Sequence, residues 1–282
     1  VAIQIASLNA AEYFGLRDLG AIAPGRKADI VVLDDLEVLS VQQVLKGGTA
    51  AAEGGRLIVA IKKASKPRSS AMQVGRIAPE SFDIKAEGEL VRAIGVIPNQ
   101  IITRSLLTRP RVVDGNVVAD LDRDLLVMAV VERHNATGNI GLGLVNGFGL
   151  NRGAIATSIA HDSHNIASVG TSSEEIFRAV SKVQEMGGGL VVVDDGAVIA
   201  SLSLPIAGLL SDRSMDEVVE KIEEVVGAAR DLGSALEDPF MTLSFLCLPV
   251  IPELKLTDKG LVDVNRFDFV SLFVGEEKEG QA

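Results

Sequence analysis

The chain has 282 residues, of which 47% are hydrophobic and 23% are charged, and this balance excludes a disordered chain. A formal net charge of -11 and a pI near 4.8 give a surface that repels phosphate backbones and anionic membranes, which argues against nucleic acid or a membrane as partner. Cys247 is the single cysteine, so the chain cannot form an internal disulfide. We predict that it is a buried, unreactive thiol, and such cysteine usage is typical of a cytoplasmic protein.

The first residues are predicted to form two short helices. Residues 1–6 carry apolar side chains at helical spacing, and Asn9 is placed to cap a second helix over residues 10–14, which Gly15 ends. Since the helical pattern is already running at Val1, the sequence indicates a fragment of a longer protein.

Short strands are predicted next. Residues 30–33 are strongly apolar, and residues 41–44 and 56–61 are predicted to form the two strands of a hairpin, joined through the glycine pairs between them. Residues 62–70, KKASKPRSS, are basic and polar with one proline, which predicts a linker and a second domain beyond it.

The second domain is rich in strand patterns. Residues 112–118 carry a compact hairpin signal, residues 125–131 form an apolar run typical of a buried strand, and residues 190–204 predict another hairpin.

Two helices begin at capping-box pairs, Ser172 with Glu175 and Ser214 with Glu217. The predicted fold class is therefore α+β, with a mixed sheet and both helices on one of its faces.

All three histidines, His134, His161 and His164, fall within residues 132–171. Polar residues there form two clusters, 132–135 and 161–165, between apolar runs that alternate with glycines. This pattern predicts strands that end in polar loops.

The amino-acid sequence of this segment, ERHNATGNIGLGLVNGFGLNRGAIATSIAHDSHNIASVGT, resembles the C-terminal region of the bacterial and archaeal adenine deaminases, a branch of the amidohydrolase superfamily. Near the start of the chain, ASLNAAEYFGLRDLGAIAPGRKADIVVL resembles the point where amidohydrolase barrels end. The second likeness is generic to the superfamily and the first is specific to the deaminases. Together they cover the chain from about residue 1 to residue 260.

The resemblance implies a division into residues 1–64, the end of an amidohydrolase barrel with part of its small β-sandwich, and residues 65–282, the adenine deaminase C-terminal α+β domain. It implies hydrolysis of adenine to hypoxanthine and ammonia by metal-activated water, in purine catabolism. The implied metal is manganese, iron or zinc, bound in a barrel portion that this chain lacks. Adenine, that barrel portion and further copies of the enzyme are the implied partners.

The binuclear centres of the superfamily use an H-x-H pair and further histidines, whereas this chain has no H-x-H pair and three histidines in total. We therefore predict that the chain holds no catalytic metal and is inactive alone.

Three interpretations of the second polar cluster stay open: a purely structural turn, a contact with substrate or barrel, and metal ligation by His161 and His164. The first cluster is either a solvated strand end with an ion pair or a set of donors and acceptors suited to a purine edge. The candidate site residues are Arg133, His134, Asn139, His161, Asp162, His164 and Asn165.

The glycines at positions 138, 141, 143, 147 and 149 allow a phosphate-loop hypothesis, but no helix pattern with a lysine-serine pair follows them. Bulges or close backbone approach explain them better. Two competing functions also stay open: a non-catalytic α+β binding or regulatory module, and part of another amidohydrolase that acts on a cyclic amide.

Overall fold

The computed structural model describes residues 1–60 and 72–275, and the chain divides into two compact units, Val1–Lys66 and Pro67–Ala282. The predicted linker at residues 62–70 and the charged tail after Gly275 lie outside the described residues.

The N-terminal unit begins with one continuous helical run. It consists of α1 (Ala2–Gln4), a π-helical segment (Ile5–Asn9) and α2 (Ala10–Tyr13). Asn9 has helical angles, φ -64° and ψ -41°, and its side chain makes no cap hydrogen bond, so the predicted cap at Asn9 is wrong. A cap needs extended backbone, and the good helix formers on either side of Asn9 carry the helix through it. Gly15 ends the run as predicted, with φ +68°.

Four strands follow within residues 1–60: β1 (Ile30–Leu33), β2 (Val41–Lys46), β3 (Thr49–Glu53) and β4 (Arg56–Leu57). They form an antiparallel meander in the order β1-β2-β3-β4. The predicted direct pairing of β2 with the segment around β4 is wrong, because β3 lies between them. β3 has the sequence TAAAE, and the low β propensity of alanine hides this strand from the sequence pattern.

An eight-stranded mixed sheet forms the centre of the C-terminal unit. Its strands are β6 (Val91–Val96), β7 (Thr103–Thr108), β10 (Leu125–Val131), β11 (Ile140–Asn146), β12 (Ala154–Thr157), β13 (Ile166–Gly170), β14 (Gly189–Asp194) and β15 (Ala197–Ser203). The strand order is β15-β14-β12-β13-β10-β11-β6-β7, and β11 pairs with β6 in parallel while the other neighbours are antiparallel. All seven residues of β10 are buried, which confirms the predicted buried strand. The hairpin of β14 and β15 is also confirmed.

The described residues of this unit contain three α-helices: α3 (Ser173–Glu185), α4 (Met215–Asp231) and α5 (Pro239–Phe245). Both predicted caps are confirmed, since Ser172 and Ser214 each accept a hydrogen bond from the backbone three residues on. At α4 the box is reciprocal, because Glu217 also accepts from the Ser214 N–H.

The fold class is confirmed as α+β with a mixed sheet, but α3 and α4 pack on opposite faces, so their predicted placement on one face is wrong. Val127 and Ala129 of β10 share a core with α3, whereas Leu126 and Met128 share a core with α4. A strand that is apolar on both sides leaves two faces to cover, and α3 packs on one of them while α4 and α5 pack on the other.

Two three-stranded sheets are also present in the part of this unit that the structure describes. One contains β5 (Ile84–Lys85), β9 (Asn116–Val118) and β8 (Arg111–Val113), and its β8-β9 pair confirms the hairpin predicted at residues 112–118. The other contains β16 (Leu254–Thr257), β17 (Gly260–Asp263) and β18 (Asp268–Val270).

The turn between β16 and β17 lies directly against β11. A side chain at Gly141 would place its Cβ 1.8 Å from the Thr257 carbonyl oxygen, and one at Gly143 would meet Leu256 and Leu261. Close backbone approach, the better explanation of the glycine series, is thus confirmed at Gly141. Among the described residues, no helix is both long and apolar enough to cross a membrane.

Candidate functional site

The two polar clusters lie together at one edge of the large sheet. The last residue of β10, Val131, pairs with Ile166 at the start of β13 and with Ile140 at the start of β11. Thr157, the last residue of β12, pairs with Ala167. Antiparallel pairing therefore brings the loop after β10 beside the loop between β12 and β13.

Glu132 organises the first loop. Its buried carboxylate accepts hydrogen bonds from the backbone N–H groups of His134, Asn135 and Thr137 and from the Thr137 hydroxyl. Burial alone would raise the pKa of Glu132, but these donors together hold that pKa below its usual range. The solvated strand end with an ion pair is thus the wrong interpretation, since Glu132 is buried and bonds the backbone of its own turn.

Arg133 is also buried, at 3% exposure, and its guanidinium contacts three separate segments. Nε donates to the carbonyl of His164, Nη2 donates to the carbonyl of Ala207 at 3.0 Å, and Nη1 lies 3.6 Å from the Met72 sulfur. Burial lowers the pKa of Arg133. The side chain is thus inside the edge of the sheet rather than on its surface.

The second loop presents the other two histidines. His161 packs its ring on Phe245, with ring centroids 4.8 Å apart, and lies 6.2 Å from the His164 ring. His164 has a left-handed backbone, φ +51°, and its N–H donates to the Ala160 carbonyl at 2.6 Å. His134 from the first loop reaches across, with Nε2 2.7 Å from the Ser163 carbonyl oxygen. All three histidines therefore meet in one place.

The environment of His164 favours its neutral form. Burial lowers its pKa, and the nearby charges of His161, Arg133 and His134 lower it further, while Asp162 opposes them. Its Nδ1 atom is buried without a hydrogen-bond partner among the described residues.

Asp258, in the turn between β16 and β17, is a site residue that the sequence analysis missed. Asn165 donates to one carboxylate oxygen of Asp258 at 3.1 Å and Asn139 donates to the other at 3.4 Å. The Asn165 side chain is buried, and its Oδ1 atom has no partner in the described part of the chain. The available signal was the pair Gly141 and Gly143, which marked a strand against which another segment lies.

The three histidines do not form a metal centre with any other side chain that the structure describes. Within residues 1–60 and 72–275, no group of three or more His, Cys, Asp or Glu side chains is arranged to hold a metal ion. Zinc sites in proteins use three or four such ligands. A divalent catalytic metal therefore does not fit the donors present.

Comparisons with known proteins agree with the resemblance found in the sequence. The family model of the adenine deaminase C-terminal domain matches residues 100–268, and that of the amidohydrolase family matches residues 1–58. The chain is 55% identical to an adenine deaminase of Methanothrix thermoacetophila over 97% of its own length and 48% of the relative's. It is 50% identical to an adenine deaminase of Desulfatibacillum aliphaticivorans over 96% and 48% of the two lengths. It is 49% identical to adenine deaminase 2 of Carboxydothermus hydrogenoformans over 95% and 47%.

The chain thus spans about half the length of the curated relatives that it matches. The family model of the C-terminal domain covers more than half of the chain and includes both polar loops and Asp258. This chain belongs to the adenine deaminase C-terminal domain family.

Proposed function

We propose that this chain is the C-terminal part of an adenine deaminase, a hydrolase that converts adenine and water to hypoxanthine and ammonia. One observation carries the proposal: nearly the whole chain aligns with proteins of that name at 45 to 55% identity. Purine catabolism in the cytoplasm is the proposed setting.

The exposed apolar surface of the N-terminal unit supports the proposal that another portion of the enzyme covers it. Ala11 is its only buried residue within residues 1–60, and large apolar side chains such as Tyr13, Phe14 and Ile22 are more than two-thirds exposed. Apolar surface of this extent is normally covered. We assign residues 1–64 to the end of an amidohydrolase barrel and a piece of its β-sandwich, with the preceding barrel as cover, and residues 65–282 to the C-terminal domain. Homo-oligomer formation is part of the proposal.

The metal, whether manganese, iron or zinc, belongs in this proposal to residues outside the chain, because the donors in the described part of the chain do not form a site. Its chemistry would be the activation of water. The part assigned to this chain is to bind and orient the purine and to exclude water at the edge of the sheet.

At that edge the neutral His164 ring can accept a hydrogen bond from an N–H of the purine, and the exposed side chains of His134, Asn139 and Asp162 offer further donors and acceptors. Arg133 is buried and holds the loops from inside. Loops fixed on a rigid sheet suit the precise placement that catalysis needs.

A chimera tests the function. Residues 1–282 would replace the matching region of the Methanothrix thermoacetophila relative, and ammonia release from adenine would be measured beside the 282-residue chain alone. We expect the chimera to turn over adenine and the chain alone to release no ammonia. The same replacement in the Desulfatibacillum aliphaticivorans relative guards against a misfolded junction. Two folded chimeras without activity, or robust turnover by the chain alone, would contradict the proposal.

A further inference from the structure

Arg133 is a buried cation whose partners within residues 1–60 and 72–275 are all neutral. Its three contacts are two backbone carbonyls and one thioether sulfur. Among the described residues, none of the ion pairs involves Arg133. A buried charge is costly without an opposite charge, so a purely stabilising role explains this arrangement poorly.

The contacts of Arg133 instead join three segments that are far apart in the chain. The side chain donates to the loop between β12 and β13, called the histidine loop from here on, at His164 and to another loop at Ala207, and it touches Met72. The backbone of Arg133 adds to the third contact, because its carbonyl accepts from the Gln73 N–H at 3.0 Å. One planar guanidinium fork therefore fixes two loops and one extended segment relative to each other.

Gly208 and Ser158 shape the space around the guanidinium. A Cβ at Gly208 would lie 2.9 Å from Nη1 of Arg133 and 3.0 Å from its Cζ, so the absence of a side chain lets the guanidinium lie flat against this loop. The hydroxyl of Ser158, just after β12, donates to the Gly208 carbonyl at 2.6 Å and accepts from the Gly189 N–H at 2.8 Å. The loop around Gly208 is thereby anchored to the sheet.

Both backbone groups of His164 are bound as well. Its N–H donates to Ala160 and its carbonyl accepts from Arg133, while its φ of +51° lies in a region that costs a non-glycine residue about 1 kcal/mol or more. Removal of the guanidinium would leave one end of this strained residue free.

We infer that Arg133 is a positioning residue: together with Gly208 it holds the His161–His164 loop in the conformation that the site uses, and it does not itself contact substrate. Its effect on turnover rests on the proposed function, whereas its effect on loop geometry does not.

Imidazole NMR of the 282-residue chain at one fixed pH tests the geometry, because the protein has only three histidines and single variants assign each signal. In the wild type, the Phe245 ring should displace the His161 signal through its ring current. We expect Arg133→Met to move the His161 and His164 signals toward those of a free loop. Lys255→Met, which removes a different buried cation, should leave both signals in place. Unmoved histidine signals in folded Arg133→Met would overturn the inference.

Gly208→Ala gives a second test if Arg133→Met fails to fold. Its matched control is Gly187→Ala, which has almost the same backbone angle, φ +74° against +72°, and open space around the added methyl group. The two glycines share this positive φ, so displacement of the guanidinium is the difference that the pair of variants tests. We expect Gly208→Ala alone to move the His161 and His164 signals, and equal spectra for the two variants would count against the inference.

The chimera then links geometry to turnover. We expect Arg133→Met to lower kcat by about 10- to 100-fold and to change KM by no more than about threefold, as displacement of catalytic groups does. Arg133→Lys keeps the charge but lacks the fork, so it should not restore kcat. Full rescue by lysine, or a loss confined to KM, would refute positioning by the fork, whereas an inactive wild-type chimera with the predicted NMR changes would refute only the proposed function.

Discussion

Burial decides the protonation of Lys255, which lies fully inside the C-terminal unit on β16. Its Nζ donates to the Ile101 carbonyl at 2.8 Å, and burial lowers its pKa to about 8 from 10.5. Between these two values the unfolded chain binds more protons than the folded one, so stability rises with pH across this window. Below pH 8 Lys255 is charged in the folded protein, so the free energy of unfolding is lowered by the full cost of burying this charge.

We therefore expect Lys255→Met to raise the free energy of unfolding at pH 7 by about 1 to 2 kcal/mol, after allowance for the lost hydrogen bond. The advantage over the wild type should shrink as the pH rises from 8 to 10.5. Urea unfolding of the two proteins in parallel at pH 7 and pH 10 measures it. An advantage that stays constant with pH would show that Lys255 is not the titrating group.

At the candidate site, residue types and positions could be predicted from the sequence, whereas the partners of each residue could not. Arg133 and His134 stand at a strand end and His161 to Asn165 follow another apolar run, as expected. Asp258 joins Asn139 and Asn165 from more than 90 residues away, and no local pattern shows such a contact. Neither interpretation of the first cluster, a solvated strand end or a set of donors for a purine edge, predicted the burial of Arg133, because burial of an arginine depends on the neighbouring segments.

Among the elements, those with a complete local signal were predicted correctly. Local sequence is enough to specify the helix starts at the capping serines before α3 and α4 and the buried strand in the apolar run of β10. Strand β3 was not predicted because alanines carry little strand preference. The placement of α3 and α4 on one face was wrong because the side of a sheet that a helix covers depends on tertiary packing.

Element packing leads to a prediction at Gly141 on β11. Gly141→Ala would force its methyl group against the Thr257 carbonyl, 1.8 Å from the ideal Cβ position, and should cost about 3 kcal/mol or more. Gly227→Ala, in α4 with open space around it, should instead add about 0.5 to 1 kcal/mol. Thermal unfolding of both variants gives the comparison. A neutral Gly141→Ala would show that the turn between β16 and β17 does not rest on this strand.

For the whole molecule, the contrast between its two units is the main feature. The C-terminal unit has a continuous core on both faces of its sheet, whereas the N-terminal unit has one buried residue within residues 1–60. A segment with so little burial gains little from folding alone and presents apolar surface to solvent.

We expect the 282-residue chain alone to associate as its concentration increases, because the N-terminal unit exposes apolar side chains and the strand edges of β1 and β4. Sedimentation velocity over a hundredfold range of concentration, about 1 to 100 μM, measures this. The chimera should associate less, since the proposal places the barrel over the same surface. A chain that stays strictly monomeric would contradict the proposed need for a partner.

The most direct test of the proposed site is His164→Ala in the chimera, with turnover and melting temperature measured on the same preparation. If the histidine loop serves deamination, kcat for ammonia release from adenine should fall at least about tenfold, or roughly 1.4 kcal/mol of transition-state stabilisation, with a nearly unchanged melting temperature. Near-normal turnover with a lowered melting temperature would contradict a role of the histidine loop in deamination and would show that the loop is structural.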